Sequence, residues 1–534
     1  MKKSLFLLPL LTLPWVVRAA VSTDTVTSVT VSTSDFMSAS IALSSRNDVH
    51  MVFVDTTTQI LKHAKLLNGT TTWAVSDVTD KKVAPQSDLA IAPNGTLHAV
   101  YYQTDSPAGV KHARNSGSSW VTDTIENFVG TKAFVSIAVG ADNVPRVVYN
   151  QTVSSTTWYG EQSGGVWITT KAFNFTGGPC ALALEANDTA HFVSVNDDSD
   201  LRYVSLVNQT GPQTFTFADF RLFSSPGLMG ETQKVGLAMD SSGNAHFSYF
   251  DEEVGGMFYG SKVGASTATV VVDAATGAGS SSDIAVNDLN KPMIVYLSTG
   301  VGLRSAVLVG ASWTPSTLES GTLNGVGPSV VFNRYNHYLA GYLSGDSNEL
   351  KFITDAPRDL SISGTVLDFA GAPIPGVSLT LSGGIASTAL TVSGTTGGYS
   401  ADHLFEGNYT ITPSLSSWAF QPNYQTINHL EGLTVWNFKG GLVDFTTVGN
   451  LFNPMDGEQV TFNYSTIPGH VSLKVYSLRG MPVRTLVDQD EAAGTYPVTW
   501  DGRDTDGHVV ASGIYLVYYE ANQTKSTKKV AVVK

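Results

Sequence analysis

Short apolar runs, broken every few positions by Gly, Asn, Ser or Asp, fill the chain, and in its first two-thirds they recur. One run reads Ile41-Ala42-Leu43, Ile91-Ala92-Pro93, Ile137-Ala138-Val139, Leu182-Ala183-Leu184, Leu237-Ala238-Met239, Ile284-Ala285-Val286 and Val330-Val331-Phe332, at spacings of 50, 46, 45, 55, 47 and 46 residues. A polar turn such as Pro93-Asn94-Gly95 follows, then a second apolar run, as in His50 to Asp55, His98 to Gln103 or His246 to Asp251. A third begins at Leu61, Val110, Leu201, Leu303 or Leu350, and several units close on Trp73, Trp120, Trp167 or Trp313, which open a fourth. Four short strands in about 45 residues make one propeller blade. The pattern therefore predicts an all-β chain with a seven-bladed β-propeller over residues 20–357. Its seventh unit stops after a third strand near Asp355, and Val26 to Thr33 is expected to supply the fourth, because an open ring would leave a bare sheet edge.

Composition agrees with turn-rich β structure: 42% of residues are hydrophobic, only 14% are charged, and there are 50 glycines. A net charge of −14 and the lack of a basic stripe argue against a nucleic-acid partner. Lys2 and Lys3 precede an apolar run from Leu5 to Val17, and Val17-Arg18-Ala19 suits a signal peptidase, so residues 1–19 read as a secretory signal peptide. No later segment could span a bilayer as a helix, and the mature chain is expected to be secreted or held at the cell surface. Cys180 is the single cysteine, so stability must come from core burial rather than an internal disulfide.

The blade units resemble the sialidase-like, BNR-type propeller superfamily over roughly residues 21–355. That family joins its third and fourth strands with an Asp-box, Ser-x-Asp-x-Gly-x-Thr-Trp. The stretches Asn68 to Trp73, Asn115 to Trp120 and Gln162 to Trp167 keep the Gly and Trp but lack the Asp. No arginine triad, tyrosine nucleophile or partnering Glu is placed by motif, so the resemblance implies the fold and carries over no sialidase activity.

Beyond Leu360 the texture changes. Ser363 to Val377, Gly397-Gly398-Tyr399 and Gly407-Asn408-Tyr409 resemble the carboxypeptidase regulatory-like module, which implies a prealbumin-like β-sandwich, a non-catalytic spacer, over residues 358–443. Asn450 to Glu458, Val471 to Gly480, Gly494 to Asp504 and Ala511 to Tyr515 resemble the FlgD-type Ig-like domain and the C-terminal sorting tails of outer-membrane cargo. That resemblance implies a second small sandwich over residues 444–534, with secretion or envelope machinery as its partner.

Several residues invite a chemical reading. His50, His98, His191 and His246 fall at one position of successive units, where Arg146 and Met293 also stand, so they read as packing and not as metal ligands. Lys62, Lys111, Arg202, Arg304 and Lys351 recur likewise and read as salt-bridged blade faces. Asp501, Asp504 and Asp506 imitate a calcium loop without its full carboxylate spacing and read as a hairpin turn. No metal or other cofactor is expected.

The ends of the second strands are polar in every unit: Asp55, Gln103, Gln151, Asn196, Asp251, Ser298 and Ser344. With Asp197, Asp198, Asp200, Glu252 and Glu253 they would form a ring of amides and carboxylates suited to sugar hydroxyls. The leading expectation is an exported bacterial binding or adhesion protein, non-enzymatic, whose propeller face recognises a glycan or a surface protein. A polysaccharide-degrading lyase or hydrolase is the alternative, by fold analogy alone.

Overall fold

The computed structural model describes residues 21–31, 37–117, 119–130, 133–151, 154, 156–173, 178–195, 201–209, 215–223, 234–251, 255–275, 277–322, 324–383, 388–391 and 395–534. Residues 1–19, expected from the sequence to be a signal peptide, lie outside them. The chain divides into two compact units, one of residues 1–67 and 71–357, the other of residues 68–70 and 358–534.

The larger unit is a β-propeller of antiparallel meanders. Its described strands group in consecutive fours, whose first strands are Ala39–Leu43, the second half of Ala74–Ile91, Ala133–Val139, Cys180–Leu184, Gly236–Met239, Ala278–Val286 and Asn324–Phe332. Ala74–Ile91 is one continuous strand shared by the first two groups: Asp77 pairs with Lys62 at one end and Ile91 with Leu97 at the other. Each first strand packs against the next, and the last returns to the first. Burial falls from inside to outside. The second strands Leu97–Gln103, Pro145–Gln151, Pro292–Ser298 and Tyr338–Ser344 are buried along their whole length, whereas the fourth strand Ser266–Asp273 is exposed at six of eight positions. This gradient explains why the inner strands read as continuous apolar runs instead of alternating.

Ser22–Ser28 forms the outer strand of the last group, antiparallel to Glu349–Thr354, with Ser22 opposite Thr354 and Ser28 opposite Glu349. The segment proposed for that place, 26–33, overlaps it only at 26–28. Both stretches are rich in Thr and Ser, and Val26 is the one valine of the observed strand, so no apolar alternation fixes which stretch pairs.

Three kinds of polar staple join neighbouring groups. On the axis, polar side chains of five first strands accept from the next first strand: Leu89 N donates to Ser40 Oγ (3.1 Å), Ile137 N to Asp88 Oδ2 (2.9 Å), Leu182 N to Ser136 Oγ (3.2 Å), Val330 N to Asp283 Oδ2 (3.1 Å) and Ile41 N to Ser329 Oγ (3.4 Å). At the turns between first and second strands, Asn143, Asp188, Asn290 and Asn336 adopt left-handed φ of 61°, 67°, 56° and 68°. Their side chains accept from backbone N–H groups of the preceding turn, those of Asn94, Ala141, Ser241 and Asp288. Asn and Asp tolerate that φ better than other side chains, which accounts for the residue type. Farther out, fourth-strand carboxylates cross to the next group: Glu126 accepts from Tyr149 (2.5 Å) and Gln151 (2.6 Å), Asp273 from Tyr296 (2.7 Å) and Arg304, and Glu319 from Tyr342 and Lys351 (2.6 Å).

The smaller unit holds two β modules. In the first, Leu360–Asp368, Gly398–Leu404, Trp418–Gln421 and Phe438–Leu442 form one sheet, Ser378–Gly383 and Gly407–Ser414 belong to another, and both contribute to one core containing Ile362, Leu379, Tyr409 and Phe438. In the second, a three-stranded sheet carrying Phe445, Phe462 and Trp500 shares a core with a five-stranded sheet carrying Leu473, Val517 and Val530. Gly513–Ala521 buries every second side chain from Tyr515 onward, the pattern of a sheet with one wet face.

Deleting residues 21–31 removes the strand that covers Glu349–Thr354, leaving an edge with unpaired backbone groups. We expect the melting temperature to fall by several degrees or more, at about 1 kcal/mol per lost hydrogen bond, with increased self-association in light scattering. Unchanged melting and solubility would contradict the closure.

Candidate functional site

The first strands enclose a cavity of about 210 Å³ on the propeller axis, lined by residues from all of them. Two carboxylates, Asp88 and Asp283, and one cation, Lys234, reach it. Asp88 accepts from Ser40 Oγ (2.7 Å), Ser136 Oγ (2.8 Å), Leu89 N (2.9 Å) and Ile137 N (2.9 Å). Asp283 accepts from Ile284 N (3.0 Å) and Val330 N (3.1 Å) and lies 3.4 Å from Lys234 Nζ, which also donates to Pro328 O (2.8 Å). All three charges are thus engaged by protein groups.

Two neutral groups are not. Gln86, 5% exposed, and Ser87, also 5% exposed, line the cavity, and Gln86 Oε1 and Ser87 Oγ have no hydrogen-bond partner among the described residues. A buried unmatched acceptor costs about 1–3 kcal/mol, so these two atoms mark a place where something polar belongs. Cys180 also lines the cavity; burial pushes its thiol pKa up, which keeps it protonated and inert. Gly236 is needed here, because a Cβ would lie 2.7 Å from Ile284 N of the next group.

The second-strand ends lie on the side where the first strands begin, as the pairings Gln151 with Ala133 and Gln103 with Val83 show. None of Asp55, Gln103, Gln151 or Asp251 lines the cavity. Gln103 is buried and donates to Asp105 O (3.0 Å) and Pro107 O (3.2 Å), and Gln151 bonds Glu126 and Ser154 (2.6 Å each). Asp55 accepts from Thr57 N (3.0 Å) and lies 4.0 Å from Lys62 Nζ. Asp251 is buried at its strand end, and its carbonyl accepts from Gly255 N (2.8 Å). Gln103 and the Asp55 carboxylate thus bond their own loops, while Gln151 also reaches Glu126 of the preceding group. Asn196, Asp197, Asp198, Asp200, Glu252 and Glu253 lie outside the described residues. Gln86 and Ser87 were not singled out from the sequence; the signal was the polar residue that recurs at the head of five of the inner apolar runs, Ser40, Asp88, Ser136, Asp283 and Ser329.

The recurring histidines are buried between strands. His50 Nδ1 lies 3.0 Å from His63 Nε2, His98 Nδ1 2.9 Å from His112 Nε2, His191 Nδ1 2.5 Å from Tyr203 Oη and His246 Nδ1 2.7 Å from Tyr259 Oη. A Trp of the following group meets three of those third-strand partners: Trp120 on His63, Trp167 on His112 and Trp313 on Tyr259, with centroids 5.3, 5.2 and 4.9 Å apart. Trp73 meets Phe352 at 5.5 Å, joining the last group to the first. Where Arg146 replaces His, it pairs with Asp142 (2.7 Å). In the smaller unit Asp504, Asp506 and His508 lie close enough to share an ion. Asp504 Oδ1, however, accepts from Asp506 N (3.0 Å) and His508 N (2.9 Å), the bonds of a turn.

Comparison with known proteins identifies residues 449–525 as an FlgD Ig-like domain. No curated protein matches the chain. Among solved structures, the BP39L lectin from Burkholderia pseudomallei is 14% identical at a TM-score of 0.46, covering 58% of this chain and 94% of its own. The fucose-specific lectin from Aleuria aurantia is 14% identical at 0.39, covering 53% and 96%, and a structure of that lectin is described as a six-bladed β-propeller. AofleA from Arthrobotrys oligospora is 11% identical at 0.40, covering 57% and 90%. At TM-scores below 0.5 these likenesses say nothing about what this chain binds.

Burial, and secondarily the charges of neighbouring residues, lowers the pKa of His50 to about 3 and of His98 to about 4; burial does the same for His63, to about 4. In the unfolded chain these rings protonate near pH 6.5. Between about pH 6.5 and 4 the unfolded chain therefore binds more protons, and stability falls as pH falls. We expect the melting temperature to drop steadily from pH 7 to 4.5, with stability lost below pH 6.5 at roughly 1.4 kcal/mol per pH unit for each of His50, His63 and His98. A His50→Gln, His63→Gln variant should show a shallower slope in the same thermal titration; an equal slope would contradict this origin.

Proposed function

We propose that this chain is an exported, surface-held or secreted bacterial binding protein whose propeller takes the terminal sugar of a glycan into the axial cavity. The observation that carries this reading is the division of labour in the cavity. Its charges are consumed by protein partners, and the two groups left over, Gln86 Oε1 and Ser87 Oγ, are neutral hydrogen-bonding atoms. Hydroxyl-rich, uncharged ligands match such groups. A volume of about 210 Å³ is below the roughly 300–1,000 Å³ of drug-sized pockets and suits one sugar ring.

The enzymatic alternative is less well supported. A glycoside hydrolase needs two carboxylates roughly 5–9.5 Å apart, one able to give up a proton. Asp88, with four donors, is held as an acceptor and has no free site from which to act.

We further read the strand groups as seven blades, a count supported by the closed succession of first strands. On this reading the loops after the second strands, Asp55, Gln103, Gln151, Asn196 to Asp200 and Asp251 to Glu253, frame the cavity mouth and contact the rest of the glycan. The propeller, with its sialidase-like ancestry, spans residues 20–357 after removal of a signal peptide at 1–19. A carboxypeptidase regulatory-like spacer, a prealbumin-type sandwich, spans 358–443. The Ig-like region 444–534 serves sorting or surface retention.

A glycan-array screen of the full chain identifies the ligand. Gln86→Ala is then expected to weaken it about 5- to 150-fold, the loss of one buried hydrogen bond, with melting unchanged or raised. Equal affinity in the variant and the parent would remove the cavity from the function. Independently, N-terminal sequencing of exported material should begin at Ala20; an intact Met1 would contradict export by cleavage.

A further inference from the structure

The smaller unit contains a groove that none of the foregoing uses. It has a volume of about 530 Å³ and runs between Trp418 to Asn423 of the first module and Ile467-Pro468 with Asn522 to Thr524 of the second. The two modules are packed together beside it: Phe369 and Ala419 of the first lie against the core of the second, and a Cβ on Gly441 would come 2.6 Å from Ile467. The groove is therefore preformed.

Its lining has three properties. None of the twelve lining residues is charged. Trp418 is half-buried on the first module's core and, with Pro413, Pro422 and Pro468, offers apolar faces. Gln421, Asn423 and Gln523 are exposed along it and make no side-chain hydrogen bond to the described residues. Each free amide can donate and accept at once.

The turn that forms one wall is built at some expense. Asn522 and Gln523 both adopt left-handed backbone, φ 48° and 65°, in the two-residue connection between Gly513–Ala521 and Thr524–Val532. The second place of such a turn favours Gly, which sits there without strain, yet this chain keeps a Gln. Asn522 Nδ2 donates to Thr466 Oγ1 (2.9 Å) and Ile467 O (3.1 Å), which clamps the turn to the facing segment and leaves the Gln523 amide over the groove.

We propose that this groove is a second ligand site, independent of the axial cavity, and that it binds a neutral oligosaccharide. The faces of sugar rings present C–H groups that stack on an indole or a proline, while their edges present hydroxyls that amides bind in both directions. The lack of charge in the lining disfavours acidic polymers. Proline-rich peptides are bound by grooves lined with several aromatic rings; here Trp418 and Phe420 are the aromatic lining residues, Phe420 is buried, and three free amides lie beside them.

The test is calorimetric titration of the full chain with cellohexaose, xylohexaose, mannohexaose and chitohexaose. At least one should bind, and Gln523→Gly and Asn423→Ala should each weaken it about fivefold or more. Gln523→Gly relieves a strained backbone position, so its melting temperature should be equal to or above the parent's, which separates lost binding from lost folding. Trp418→Ala should abolish binding. Failure of all four hexaoses would overturn the proposal, as would binding that resists both amide substitutions. Binding lost only in Gln86→Ala would assign the sugar to the axial cavity and likewise overturn the groove. A proline-rich decapeptide that binds and is displaced by none of the hexaoses would make the groove a peptide site and end the carbohydrate reading.

Discussion

The propeller depends on how the inner edge of each first strand is satisfied. A first strand pairs with its own second strand on one side only, so its other row of N–H groups faces the axis, where no further strand fits. Buried backbone donors without partners are among the costliest faults a fold can carry. Here a side chain of the preceding group supplies the acceptor: Ser40 for Leu89, Asp88 for Ile137, Ser136 for Leu182, Asp283 for Val330 and Ser329 for Ile41. Because the last of these bonds returns to the first strand, the ring closes through the same device that spaces its members. At Gly236 the device gives way to direct backbone approach, since a Cβ there would sit 2.7 Å from Ile284 N.

Side chains are shorter than strands, and that difference makes the axis hollow. Had the inner edges been completed by more backbone, no cavity would remain; completed by Ser and Asp, they leave about 210 Å³ of space walled by polar groups. The same economy fixes its chemistry. Acceptors strong enough to hold two strands, such as Asp88 with its four donors, have no capacity left for a ligand, and Lys234 is occupied by Asp283 and Pro328. Beside the staples, Gln86 Oε1 and Ser87 Oγ are the cavity's side-chain atoms left without a partner among the described residues.

This also explains what could be read from the sequence. Apolar triplets near 46-residue spacing are visible because inner strands are covered on both faces, and the His and Lys positions recur because each repeat solves the same packing problem. The histidines did prove to be strand-to-strand contacts, paired with His63, His112, Tyr203 and Tyr259. The N-terminal strand was placed late because the valines at 26, 29 and 31 drew it forward, whereas the paired residues Ser22 to Thr25 carry no apolar side chain. The second-strand ends read as a ligand ring because polarity alone does not tell direction; Gln103 bonds its own loop and Gln151 bonds Ser154 and Glu126, while Asn196 to Asp200, Glu252 and Glu253 lie outside the described residues. Gln86 was hidden because it stands three residues ahead of Leu89 in a strand whose sequence, Lys81 to Gln86, carries no apolar period.

The smaller unit meets the same requirement differently. Its second module completes its five-stranded sheet with backbone: Leu451–Phe452 adds in parallel to Ala531–Val532, and Val471 to Tyr476 pairs on both sides. A sheet finished by backbone has no reason to be hollow, and the core between Phe462, Trp500, Leu473 and Val517 is filled by buried side chains. The groove of about 530 Å³ lies instead at the seam between its modules, where two finished surfaces meet. In both units, then, the groups free to meet a ligand stand where backbone pairing stops: on the axis, where first strands have only side chains to complete them, and at the seam, where turns such as Asn522–Gln523 face irregular chain. A search for binding residues in such a chain is directed first to those places; at the second-strand ends Gln103 and Gln151 already bond protein groups.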